Sequence, residues 1–208
     1  MRRRQRLTPP FSVTYVPLST DDSLDQTLTI INNTDTSVRP TLRFTARNAY
    51  GTELPHVSTI GVNQTHVGGA LLPAGGTLVD ILRFDGQGAR LVSGVDVQLA
   101  EVEESDHQAL EQDVRTVMID LEQKATADPE DFWGIGVVNP NPFGVTMRVS
   151  LVRLEDRERS YPRQVVDVVE LQEDVDMASV SNHVIWLPED VRGQFHGVVH
   201  RLVPPTLA

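Results

Sequence analysis

Any chemistry in this chain has to come from histidine, carboxylate or hydroxyl, because cysteine is absent. That removes disulfides, thiolate metal sites and thiol nucleophiles together. His196 and His200 have the i, i+4 spacing with which a zinc-binding helix presents two ligands, but no His-Glu-x-x-His occurs. The segment around them, Gln194-Phe195-His196-Gly197-Val198-Val199-His200, reads as a strand. There, i and i+4 lie about 13 Å apart, too far to share a metal. His56, His66, His107 and His183 fall in expected turns. Carboxylates gather at 101–106, 128–131 and 174–176, without the twelve-residue pattern of a calcium loop, and are read as solvated faces. The glycine-rich stretch 68–77 lacks the Gly-Lys-Ser/Thr ending of a phosphate loop, and no Gly-x-Ser-x-Gly is present. The expectation is a protein that is not an enzyme and has no catalytic residue, metal or cofactor.

The residues best suited to meeting a partner are Arg2, Arg3, Arg4 and Arg6, with Trp133 and Trp186. The four arginines form a basic arm on a body whose 29 acidic and 18 basic residues give a net charge of −11. A field of that sign opposes nonspecific nucleic-acid binding by the body, while the arm suits an anionic surface or an acidic neighbour. The arm resembles the start of an export signal, but no apolar region follows it, so no signal peptide is expected. No apolar run approaches the roughly 20 residues that cross a bilayer. The expected location is the cytoplasm or an assembled particle. The two tryptophans are either core residues or platforms for a sugar or a neighbouring protein. The triplets at Asn32 and Asn63 match a glycosylation acceptor.

The elements that position these residues read as short strands between turns. Residues 11–16, 26–31, 39–47, 57–62, 78–84 and 94–103 form a first series. In the third of these, Leu42, Phe44 and Ala46 alternate with Arg43, Thr45 and Arg47, the period of a half-buried antiparallel strand. Residues 105–124 carry both periods: Leu110, Val114, Val117, Met118 and Leu121 suit a helix, and Val117, Ile119 and Leu121 suit a strand. The reading adopted is a loop, with a short helix near 106–112 as an alternative, then a strand over 114–123 closing the first unit. Residues 124–132, small and polar with one proline, read as a linker. The second series is 133–138, 145–154, 164–171, 180–187 and 194–202.

The clearest sentence in the chain is Val137-Val138-Asn139-Pro140-Asn141-Pro142-Phe143-Gly144-Val145-Thr146: strand, tight turn, strand. Ile30-Ile31-Asn32-Asn33-Thr34 repeats it about 107 positions earlier, and Leu72-Pro73 and Leu187-Pro188 look like a second echo. The expected architecture is all-β: a basic arm (1–10), an antiparallel β-sandwich (11–123), a linker (124–132) and a second sandwich (133–208), immunoglobulin-like or jelly-roll-like. The pattern resembles the immunoglobulin-like and fibronectin-like sandwiches, without the Cys…Trp…Cys hallmark of true immunoglobulin domains. The 139–145 turn also resembles the Asn-Pro-Thr-Pro-Tyr turn of periplasmic pilus chaperones. That resemblance implies two tandem domains and paired basic anchors for a subunit's C-terminus, and no such pair can be assigned here.

These observations point to a non-enzymatic structural or interaction subunit of a larger assembly, such as a virion, tail, fibre or surface-structure component. Its expected partners are other protein subunits, in an oligomer or assembly. The alternative is a sugar- or peptide-binding β-sandwich module, the pilus-chaperone-like variant included.

Overall fold

The computed structural model describes residues 9–18, 24–155, 162–171 and 174–203, so the arm arginines Arg2, Arg3, Arg4 and Arg6 lie outside the described residues. The described residues contain thirteen strands: β1 (Phe11–Val16), β2 (Thr27–Asn32), β3 (Ser37–Arg47), β4 (Val57–Gly61), β5 (Thr77–Gly86), β6 (Gly94–Ser105), β7 (Arg115–Ile119), β8 (Gly134–Asn139), β9 (Val145–Leu154), β10 (Val165–Glu170), β11 (Val175–Met177), β12 (Ser181–Trp186) and β13 (Gly197–Val203). Their helical content is four single 3-10 turns, and none of it lies at 106–112. Among the described residues, no helix is long and apolar enough to cross a membrane. The protein is all-β.

The strands pair antiparallel in four sheets: β1-β2-β5-β4, β3-β6, β12-β8-β7, and β9 flanked by β10, β11 and β13. Alternation decides which side chains go inward. In β2, Leu28 and Ile30 are buried while Thr27 and Thr29 are not; in β8, Ile135 and Val137 are buried. The inward residues of β2, β3 and β5 form one apolar cluster with Leu72 and Val92. Those of β8, β9 and β13 form a second with Phe132, Leu187 and Phe195. Several antiparallel sheets around such clusters are compatible with a β-sandwich plan.

Residues 114–123 depart from the expectation. The strand is shorter, Arg115–Ile119, and it pairs with β8, on the far side of residues 124–132, instead of with a strand of the first series. That stretch therefore joins two neighbouring strands of one sheet. Asp120 ends β7, its Oδ1 accepting the Glu122 and Lys124 amides at 2.8 Å each. The loop before β7 is held by Asn141, whose Oδ1 accepts the Glu111 and Gln112 amides at 2.8 and 3.1 Å.

The repeat is present in the strand diagram. Asn32 and Asn139 are both buried at the end of a strand. Asn32 Oδ1 accepts Thr34 N at 3.0 Å, and its Nδ2 donates to Thr36 O at 2.8 Å and Pro73 O at 3.0 Å. Asn139 Oδ1 accepts Asn141 N at 3.1 Å, and its Nδ2 donates to Phe143 O and Ala178 O at 2.8 Å each. Each amide thus closes its own turn and ties in a distant loop. The strand order β1-β2-β5 recurs as β7-β8-β12. Val38 bridges to Leu72 as Val145 does to Met177. Met177, and not Leu187, is therefore the counterpart of Leu72, and the Leu-Pro echo is a coincidence of sequence.

Candidate interaction surface

The two halves meet along a polar and apolar seam. Ile81, pointing out of β5, packs with Val152 and Leu154 of β9, Val165 of β10 and Val199 of β13. This gives β9 two buried faces, which is why its pattern loses clean alternation after Val149. Around that cluster, polar side chains reach across. Asn63 Nδ2 donates to Val79 O at 2.7 Å and to His200 O at 2.9 Å. Arg201 Nη1 donates to Gln64 Oε1 at 2.7 Å and Gly69 O at 3.1 Å, and its Nη2 to Glu170 Oε1 at 3.1 Å. Glu170 also pairs with Arg148 at 2.9 Å, and Arg148 with Asp174 at 2.6 Å. The Arg148 guanidinium holds the Asp174 carboxyl below the usual carboxylate range.

Two ionisable groups are displaced by burial, Asp80 inside the first half and His200 at the seam. Asp80 is fully buried; its Oδ1 accepts the Asn63 amide at 2.8 Å and its Oδ2 the Thr65 hydroxyl at 2.6 Å. Desolvation outweighs those bonds and pushes its pKa up to about 6. His200 Nδ1 sits 3.0 Å from Thr116 Oγ1, and burial takes the imidazole down to about 4. His200 and Thr116 line a cleft of about 390 Å³ with Leu71, Leu78, Asp113 and Val198. A hydroxyl, an imidazole and a carboxylate share this cleft. An imidazole with so low a pKa is, however, a weak general base at neutral pH.

The remaining histidines have separate surroundings. His196 immediately precedes β13 and accepts Leu154 N at 3.2 Å, while His200 serves Thr116, so the pair binds different groups. His66 accepts the Gly61 amide at 3.3 Å, and burial lowers its pKa. His183, expected in a turn, lies in β12. Among the described residues, no three His, Asp or Glu side chains converge as a metal site would need. The carboxylates of 174–176 flank β11, a strand that pairs with β9; Asp176 accepts the Thr146 hydroxyl at 2.7 Å. Asn32 and Asn63, which head the glycosylation triplets, are buried and bonded.

The tryptophans part company. Trp133 is half-buried, with the Arg192 guanidinium 4.6 Å from its ring centroid. Trp186 is 46% exposed at the end of β12. It belongs to a face that sequence reasoning did not find, the outer side of β12-β8-β7. Directly opposed residues share a face, so the pairings give the rows Val117–Gly136–Val184 and Ile119–Gly134–Trp186. The glycines are the floor. A Cβ on Gly134 would sit 3.0 Å from Trp186 Cε3, and one on Gly136 would sit 3.1 Å from Val117 Cγ1. Neighbouring side chains thus lean over bare backbone in a shallow apolar trough. Val117 is 37% exposed, and Leu121 and Val180 project beside the sheet. The sequence clue was the pair of glycines inside a strand pattern, a sign of close approach.

No protein-family model matches the chain, and no curated protein or solved structure matches it significantly.

Proposed function

We propose that this protein is a non-enzymatic structural or interaction subunit of a larger assembly, of the kind a virion, tail, fibre or surface structure contains. The observation that supports the reading is the apolar trough of β12-β8-β7, with Trp186 half-exposed over Gly134. An apolar face with an indole and a valine left open to solvent is a feature of proteins that are covered by something. The two sheet pairs are read as tandem sandwiches of immunoglobulin-like kind, and the arginines of the arm as contacts to an acidic neighbour or anionic surface. The low pKa of His200 weighs against acid–base catalysis in the cleft where hydroxyl, imidazole and carboxylate meet.

The test is the native mass of the chain in its source. Sizing of an untreated extract should find it in a particle much larger than its 23.1 kDa. Recovery wholly as free monomer would overturn the reading.

A second reading, a sugar- or peptide-binding module, is favoured by the same indole. An exposed ring lying on a flat backbone floor is suited to stacking on a sugar face. It predicts that a saccharide panel perturbs Trp186 fluorescence and that Trp186→Ala abolishes the response.

A further inference from the structure

The seam inside the molecule and the open trough are the same surface of the repeat, used once and left free once. The register makes the correspondence explicit. In β5, Val79 opposes Thr29 and Ile81 opposes Thr27; in β12, Val184 opposes Gly136 and Trp186 opposes Gly134. Val184 and Trp186 are thus the counterparts of Val79 and Ile81. Of these, Ile81 is buried in the seam and Trp186 is exposed.

The other side of the seam also has a free counterpart. In the second half, the sandwich edge between β7 and β13 presents Thr116, His200 and Leu202, against which Leu71, Leu78 and Val79 of the first half are set. Pairing partners identify the equivalents in the first half. Thr116 opposes Val137 as Val13 opposes Ile30. His200 opposes Val149 as Leu99 opposes Leu42, and Leu202 opposes Met147 as Val102 opposes Pro40. Val13 and Leu99 are 41% and 45% exposed, and Val102 is exposed beside them at the β1–β6 edge. Among the described residues β6 pairs with β3 alone. Exposed apolar side chains therefore stand at both free copies of the surfaces that the molecule already joins to each other.

We infer that the partner of the trough is a second copy of this chain, docked head to tail, with the β12 face of one molecule (Val184, Trp186) against the β1–β6 edge (Val13, Leu99, Val102) of the next. This rests on the assembly reading above and names its occupant. The contact is heterologous, since the two surfaces differ, so it builds a ring where the rotation between copies closes and a filament where it does not. It is weaker than the internal seam. The positions of Val152 and Leu154, which bury against Ile81, are taken in the first half by Thr45 and Arg47, and the outer side of β3–β6 also carries Arg39 and Glu103 as an ion pair. The deep apolar part of the seam has no counterpart there, so association between copies is concentration-dependent.

The experiment uses the full purified chain in sedimentation velocity, over a concentration series reaching about 1 mM, where weak self-association is populated. The wild-type chain should show average mass rising with concentration. Trp186→Glu on the face and Leu99→Glu on the edge should each weaken self-association by about tenfold or more, as expected for a charge placed in an apolar contact. Each variant keeps one intact surface, so mixing them should restore a one-to-one dimer that grows no further. Circular dichroism and unfolding midpoints matching wild type show that the variants fold; Val184→Glu and Val13→Glu replace either one that does not. A monomeric wild-type chain at every concentration overturns the inference. So does a Leu99→Glu variant that still dimerises, because two faces would then be pairing with each other. If the chain is monomeric when pure yet lies in a large particle in its source, this inference falls and the assembly reading stands.

Discussion

Leu71 and Leu72 are consecutive residues that enter different cores. Leu72 packs with Leu28, Leu42 and Leu82 of the first half, and Leu71 with Phe132, Met147 and Leu202 of the second. Each is almost wholly buried, and Leu71 also bridges to Leu202. The halves are therefore stitched through adjacent side chains of one short segment.

Leu71→Ala and Leu72→Ala should each cost about 2–5 kcal/mol, the usual range for emptying a leucine site in a core. Both tryptophans lie in the second half. If the seam couples the halves, Leu72→Ala lowers the urea midpoint reported by tryptophan fluorescence as well as that reported by circular dichroism. An unmoved fluorescence midpoint would show that the halves unfold independently.

Asn32 and Asn139 make a second prediction. Each amide donates to one carbonyl of its own turn and one of a distant loop. Asn→Ala at either site should cost about 1–3 kcal/mol, from losing several buried hydrogen bonds at once. Asn139→Asp removes the donor and turns a carboxylate toward Phe143 O and Ala178 O, so it should be more harmful at pH 7 than at pH 4. Thermal unfolding at the two pH values checks the order.

These asparagines also show how far the sequence could be read. The Asn turns and the alternation in residues 39–47 and 145–154 are local signals, and the strands they imply are present. Pairing is not local. Nothing in Arg115–Ile119 states whether its neighbour is a strand before or after it, and proline and acidic residues made 124–132 look like a break. β11 was missed because its three residues are too few to show a period and sit among aspartates. His200 and Asp80 gave no signal, since their displaced acidities come from burial in the folded chain, His200 between the halves and Asp80 against Asn63 and Thr65 inside the first. Trp186 was a candidate, but its exposure depended on Gly134 and Gly136 facing outward, which a one-residue shift of register would have reversed.

Asp80 should make the protein less stable as pH rises. Its carboxyl has a pKa of about 6 in the folded state against 3.8 otherwise, so between those values the folded chain binds more protons than the unfolded one. Stability therefore falls from pH 3.8 to about 6 and the loss persists above, amounting to roughly 3 kcal/mol. Asp80→Asn keeps an acceptor for the Asn63 amide and removes the buried charge. It should stabilise the protein at pH 7 and have little effect at pH 4, as measured by denaturant midpoints.

His200 contributes with the opposite sign. Its pKa of about 4 lies below the ordinary 6.5, so in that window the unfolded chain binds the extra proton. Stability is intact above pH 6.5 and is lost as pH falls toward 4, again by roughly 3 kcal/mol. In the wild type the two slopes largely cancel between pH 4 and 6. His200→Gln should unmask the Asp80 slope, and Asp80→Asn the His200 slope. A flat profile in both single variants would refute the assignment.

The seam's polar clasp is the last test. Arg201→Ala releases Gln64, Gly69 and Glu170 together, leaving part-buried acceptors and Glu170 with Arg148 alone as its cation. A loss of about 2–4 kcal/mol is expected, larger than for Arg153→Ala, whose ion pair with Asp167 is solvent-exposed.

Because the internal seam sets one surface of the repeat against a different one, the molecule is directional. One end offers an edge bordered by Glu101, Glu103 and Glu104, and the other a floor of glycine backbone with an indole upon it. An open array built by continuing that relation would have two chemically distinguishable termini and no intrinsic length. Its extent would be set from outside, by supply of the chain or by a stopper fitted to one terminus only.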